Sequence, residues 1–245
     1  MQANKGLRCC TMTKIEKFDK VKTISMLSDI WEVLDNAERE MLVAQSSVGR
    51  FKKGEPIYRE GDNPDNLLCL LTGKVKIFRN GVGGRSLINR VLRPVQYFGY
   101  RASMAGETYV TAASAFEEST IVFVPMRTIF QLMEHNTRLC HFFIHALAVD
   151  LGKADQRIVS ITQKHVRGRM AETLLDLLDI YGFDSDGKTL DLHITREDMA
   201  NLSNMTTSNA IRTLSTFAEE GLIEVNGRYI KLNDVAALQR ISDIG

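Results

Sequence analysis

Apolar positions recur most strictly between Asn136 and His165. Cys140, Ile144, Leu147, Leu151, Ala154, Ile158, Ile161 and His165 follow one another at alternating steps of four and three, with Asp150, Lys153, Asp155, Gln156 and Arg157 on the flanks. A 3.5-residue period belongs to a helix whose apolar seam faces a partner along its length. At 1.5 Å per residue such a helix is about 45 Å long. The pattern predicts a dimerisation helix over residues 136–165, with Ile144, Leu147, Leu151, Ala154, Ile158 and Ile161 at a homodimer interface. A long core helix inside a single fused domain is the competing reading.

Upstream, Leu27, Ile30, Trp31 and Leu34, then Met41, Leu42 and Ala44, predict two short helices broken near Asp35 and Asn36. From Val48 to Pro125 the period changes. Short β-rich runs over residues 66–72, 74–79, 86–92, 108–115 and 120–124 alternate with turns at Gly54, Gly61, Gly73, Gly81, Gly83, Gly84, Gly99 and Gly106. Such punctuation predicts a compact roll or barrel; the domain is placed over residues 23–135, as a jelly-roll-like β-roll. Residues 1–22 carry Lys5, Arg8, Lys14, Lys17, Lys20 and Lys22 with little apolar period, and read as a basic, flexible tail.

Downstream, Thr195-Arg196-Glu197-Asp198 is a helix-start sequence ahead of Met199, Ala200 and Leu202. Ser203-Asn204-Met205 turns the chain, and Thr206 is placed to cap a second helix from Thr207 to about Glu220. Ala210, Leu214, Phe217, Ala218 and Gly221 fall on one side of it, and Thr207, Ser208, Ile211, Arg212 and Ser215 towards the other. A hairpin follows around Asn226-Gly227. Two helices, a tight turn and a wing predict a winged helix-turn-helix over residues 166–245. The fold class is therefore α+β: an N-terminal roll, a long dimerisation helix and a C-terminal winged helix-turn-helix.

Composition narrows the function. With 44% apolar and 25% charged residues the chain suits a globular protein with a real core. It has no run of eighteen apolar residues and no apolar signal core, so the expectation is a cytoplasmic protein without a membrane segment. Residues 166–245 hold eight Lys/Arg against thirteen Asp/Glu, the wrong sign for a DNA-binding module. Locally the sign is different: between Asn201 and Ala218 there is no carboxylate, and Arg212 is the one charge.

Lys53-Gly54-Glu55, Glu60-Gly61-Asp62 and Leu70-Leu71-Thr72-Gly73-Lys74-Val75 resemble the glycine frame of a cyclic-nucleotide-binding β-roll. The stretch from Val166-Arg167-Gly168-Arg169 to Leu174-Leu175 resembles the hinge and following helix of the catabolite-activator and fumarate–nitrate regulators, the Crp/Fnr family. The resemblance covers residues 24 to 235 in the family's order and marks an atypical member. It implies a homodimeric transcription regulator binding a palindrome in double-stranded DNA and acting with RNA polymerase.

Groove chemistry assigns candidate roles. Arg212 can donate two bonds to a guanine edge, worth roughly 1–3 kcal/mol of discrimination, and the family resemblance implies the same role. Thr207, Ser208, Asn209 and Ser215 are placed for bases and phosphates, and Thr195 and Thr206 for phosphates as well as capping. Ser208 stands where the family has glutamate, so the family's half-site is not expected.

The sensor departs further. The family's cyclic-phosphate residues, Gly-Glu and then Arg-Ser/Thr, appear here as Gly99-Tyr100 and Tyr109-Val110, with Arg101 one place off. The axle positions that meet the nucleobase are Ala154 and Asp155. The effector-pocket candidates are Phe98, Gly99, Tyr100, Arg101, Tyr109, Val110 and Asp155, and aromatic side chains either line a small pocket there or fill it. Cyclic AMP is not expected, because a buried unpaired phosphate is costly. Cys9, Cys10, Cys69 and Cys140 lack iron–sulfur spacing. His141 and His145, one turn apart, make haem possible but disfavoured, and no metal site is expected. Every histidine lies at or beyond His135, outside the roll, which argues against a cupin-type metal oxygenase, the competing enzyme reading, and the chain is not expected to be an enzyme. A nucleotide-binding regulatory subunit acting on a protein partner is the alternative.

Overall fold

The computed structural model describes residues 20–81 and 86–245. Residues 1–19, including Cys9 and Cys10, and Gly83 and Gly84 lie outside the described residues. Lys20 and Lys22, expected in the tail, lie instead in helix α1, Lys20–Ser25, where Lys20 Nζ donates to Ala44 O at 3.1 Å. Helices α2 (Ser28–Val33) and α3 (Asn36–Gln45) meet at the predicted break. Asp35 accepts from Glu38 N at 2.9 Å, and the Glu38 carboxylate accepts from Asp35 N at 2.8 Å, a reciprocal capping box.

The strands follow as β1 (Ser47–Phe51), β2 (Pro56–Tyr58), β3 (Asn66–Thr72), β4 (Val75–Asn80), β5 (Ser86–Leu92) and β6 (Gln96–Phe98). Then come α4 (Tyr100–Met104), β7 (Ala112–Ala115), β8 (Ser119–Pro125), α5 (Met126–His135) and α6 (Thr137–Gln163). The head comprises α7 (Val166–Tyr181), α8 (Arg196–Leu202), α9 (Thr207–Glu219), β9 (Ile223–Asn226), β10 (Tyr229–Leu232) and α10 (Val235–Ile244).

Two four-stranded sheets are ordered β1-β8-β3-β6, antiparallel throughout, and β2-β7-β4-β5. Strand β3 is buried from Leu67 to Leu71, which explains why that run reads as continuously apolar rather than alternating. The turn from β3 to β4 needs Gly73, whose φ is +87°. An added Cβ would lie 2.7 Å from Ser119 Cα and closer still to the Glu118 carbonyl. Gly73→Ala is therefore expected to destabilise the roll by about 3 kcal/mol, read from the urea midpoint.

Two strand predictions need correction. The run over residues 108–115 becomes a strand only from Ala112. Its first half is tied irregularly to a neighbouring turn, with Tyr109 N donating to Asp62 O at 3.0 Å and Gly61 N to Tyr109 O at 2.7 Å. The wing loop is Gly227-Arg228, not Asn226-Gly227, because Asn226 pairs with Tyr229 in the ladder and Gly227 takes the positive φ of 57°.

The chain divides into two compact units. One comprises residues 20–75, 94–109 and 114–142; the other comprises 76–93, 110–113 and 143–245. In the first, α3 and α5 pack on β8, and Asn136 anchors the start of α6. Its Nδ2 donates to Val33 O at 2.9 Å and Glu38 Oε2 at 2.8 Å, while its Oδ1 accepts from Leu139 N at 3.0 Å. In the second, α10 packs on α7, and the β4–β5 hairpin belongs with α8. The stretch expected to form a hinge from Val166 onward is helical from its first residue. The break sits at His165, which is extended with ψ 164°.

Candidate nucleic-acid interface

Helix α8 starts where the sequence places it. Thr195 Oγ1 accepts from Asp198 N at 3.0 Å and donates to Asp198 Oδ2 at 2.7 Å. Asn204, at φ +49°, makes the turn, and Thr206 accepts from Asn209 N at 3.2 Å to cap α9. Ala210, Leu214 and Phe217 are buried at 0%, 2% and 0% exposure, which seats one side of α9 in the core of the head. Ala218 and Gly221, expected on that side, are exposed, because the packed stripe ends at Phe217.

The other side of α9 is open. Thr207, Ser208, Arg212 and Ser215 are exposed and Asn209 is half-buried. Arg212 Nη2 donates to Asn209 Oδ1 at 2.9 Å, so the fork is held at the first turn rather than lost along the helix. Ile211, 48% exposed beside Arg212, adds an apolar contact fit for a thymine methyl. At the wing, Tyr229 is 47% exposed and edge-on to His193 at 4.3 Å. Neither ring was a sequence candidate, since the partners lie far apart in the chain.

The acidic excess is handled locally. Arg167 forks onto both carboxylate oxygens of Glu220 and holds its pKa below the ordinary value. Lys231 pairs with Glu224 at 3.4 Å. Glu220 and Glu224 thus have cationic partners, while α9 carries no carboxylate before Glu219.

The effector candidates do not assemble a phosphate site. Tyr109 stacks on Tyr58 with ring centroids 3.8 Å apart and planes at 16°. Phe98 lies 6.4 Å from Tyr58, and Tyr58, Phe98, Tyr100 and Tyr109 are all buried. The Tyr109 hydroxyl sits over Gly99, 3.0 Å from where a Cβ would be, and burial raises its pKa, so it stays a neutral phenol. Arg101 is half-exposed and paired with Glu107 at 3.3 Å, and Val110 is exposed. Asp155 is exposed on α6, in the second unit.

A cyclic phosphate needs a cation and donors where this chain places stacked phenols, so these residues do not fit the group. Tyr58 was invisible in the sequence reading because its three-residue strand carries no period. Titrating cyclic AMP to about 1 mM in a calorimeter is expected to give no saturable heat; a micromolar Kd would reverse this reading.

Along α6, Ile144, Leu151 and Ile158 are 63%, 65% and 61% exposed, spaced by seven. Ala154 is exposed as well, and Leu147 and Ile161 are half-buried. Cys69 is buried in β3, and burial pushes its thiol pKa up, away from the thiolate a cluster needs. His141 and His145 are exposed, and among the described residues no group of three or more His, Cys, Asp or Glu could hold a metal ion. No helix among them is long and apolar enough to cross a membrane.

Two family models match: the cyclic nucleotide-binding domain over residues 48–136 and the Crp-like helix-turn-helix domain over residues 168–241. The chain is 24% identical over 191 residues to the CRP-like cAMP-activated global transcriptional regulator of Mycobacterium tuberculosis, covering 78% of this chain and 85% of that protein. It is also 24% identical over 199 residues to the global nitrogen regulator of Synechococcus elongatus, covering 80% and 90%. Among solved structures, FixK2 from Bradyrhizobium japonicum superposes with a TM-score of 0.72 at 20% identity, over 80% of this chain and 96% of that one.

Proposed function

This chain belongs to the Crp/Fnr family of transcription regulators, with a helix-turn-helix DNA-binding domain, and from that premise we propose that it binds a palindromic operator as a homodimer. Two copies of α6 zip through Ile144, Leu147, Leu151, Ala154, Ile158 and Ile161. They carry two α9 helices into successive major grooves about 34 Å apart. Arg212 reads a base edge, Ser208 and Asn209 read or solvate neighbouring bases, and Thr206, Thr207 and Ser215 hold phosphates. Thr195 contributes mainly as a cap, since its hydroxyl proton is given to Asp198. The protein works in the cytoplasm with RNA polymerase.

The observation that carries this reading is the open side of α9, free of carboxylates before Glu219 and armed with one restrained arginine. The stacked phenols beside Gly99 argue that its signal is something other than a cyclic nucleotide.

Selection from a random duplex library tests the reading. The enriched duplexes should be palindromic, and binding should weaken only gradually from about 50 to 300 mM salt, because few phosphates meet cations. Recovery of no consensus, or loss of binding as steep as for a strongly basic protein, would refute it.

A further inference from the structure

Helix α8 has only seven residues, and charged side chains from three other elements of its unit grip both its ends. At the start, Lys76 Nζ of β4 meets Asp198 Oδ1 at 2.6 Å. At the end, where a helix leaves carbonyls without intrahelical donors and concentrates partial negative charge, two arginines take three successive oxygens. Arg157 of α6 donates from Nη2 to Leu202 O at 2.7 Å and to Ile88 O of β5 at 2.8 Å. Arg169 of α7 donates from Nε to Ser203 O at 3.1 Å and from Nη2 to Asn204 O at 3.3 Å. Its Nη1 reaches Lys164 O, in the break after α6, at 2.8 Å.

The hairpin has further ties to the same unit. Arg90 pairs with Asp150 of α6 at 2.5 Å, and the Tyr181 hydroxyl donates to Leu92 O at 3.1 Å.

Arg157 is poorly placed as a stabiliser. Its guanidinium is partly withdrawn from water, which lowers its pKa, and its Nε has no partner. An aliphatic side chain of similar volume fills such a site at lower cost. What the arginine alone can do is bond carbonyls of two different elements at once, with its fork held by α6.

We propose that Lys76, Arg157 and Arg169 form a polar junction that sets the angle of the reading head on α6. All three act as positioning residues. A rigid junction makes a dimer selective for the spacing between half-sites, because two fixed heads fit one separation only. A loosened junction lets each head bind alone as well as before, but removes the advantage of binding both. This inference rests on the dimeric-operator reading above.

The test uses the full-length protein and three duplexes derived from the sequence that the wild type enriches: the intact palindrome, the palindrome with one base pair added between its halves, and a single half-site. Arg157→Met is expected to lower affinity for the intact palindrome by about tenfold, equivalent to about 1.4 kcal/mol. It should leave the single half-site within about twofold and erase the preference between spacings. Lys76→Met, at the other end of α8, should shift the same quantities in the same direction, and it carries the test if Arg157→Met fails to fold. Arg157→Lys, which keeps the charge but not the fork, should not restore spacing selectivity.

Equal weakening of palindrome and half-site, or an unchanged spacing preference in both methionine variants, would overturn the junction. If the wild type itself does not prefer the palindrome to the half-site, the operator reading fails instead. Hydrogen exchange over residues 196–205 then decides the junction alone, with faster exchange in both methionine variants expected and unchanged exchange refuting it.

Discussion

Leu151→Asp with Ile158→Asp is expected to make the protein a monomer at micromolar concentration and to abolish palindrome binding. Both side chains stand on α6 more than half exposed, in line with Ile144. Water contact over that much aliphatic surface is unfavourable, and burying one such side chain recovers about 1.5–3 kcal/mol. In a two-fold dimer each position counts twice, and each new carboxylate would be forced against its own copy or its neighbours in a dry seam. The loss amounts to several kcal/mol, a dimer Kd raised by about a thousandfold or more. Sedimentation velocity checks this directly, with circular dichroism to establish that each monomer remains folded. A wild-type protein that already sediments as one chain would remove the basis for the prediction.

The second large effect belongs to Arg212. Arg212→Ala should cost about 1–3 kcal/mol at each half-site, hence about a hundredfold or more on the palindrome, while binding to unrelated duplex falls only slightly. Stability should change little, because the side chain is exposed and its partner, Asn209, lies on the same open side of α9. The discriminating outcome is the pattern across sequences. A base reader loses preference at one position of each half-site, whereas a phosphate contact weakens all duplexes alike and flattens the salt slope. Anisotropy titrations on the enriched duplex and on its single-position variants separate the two.

Elements whose physics is local were legible in the residues. The helix break near Asp35 and Asn36, the caps at Thr195 and Thr206 and the turn at Asn204 depend on groups a few positions apart along the chain. The heptad of α6 was readable for the same reason, since a period is a property of the chain itself. Strand β3 was found but not its depth, because a strand covered on both faces loses its alternation. The short strands β2 and β6 and helix α4 were missed, being three to five residues long and without a period to detect.

The sequence alone determined the order of roll, long helix and winged head, and the apolar seam. Those follow from residue type and spacing, which are fixed before any folding. Only the tertiary structure decided that Tyr58 stacks on Tyr109 over Gly99 and that Arg157 and Arg169 take the carbonyls at the end of α8. Tyr58 and Tyr109, Arg157 and Leu202, and Arg169 and Ser203 are separated by 34 to 51 positions along the chain. No helical or strand period links them; they meet because the packed elements bring them together, and burial then makes each missing partner costly.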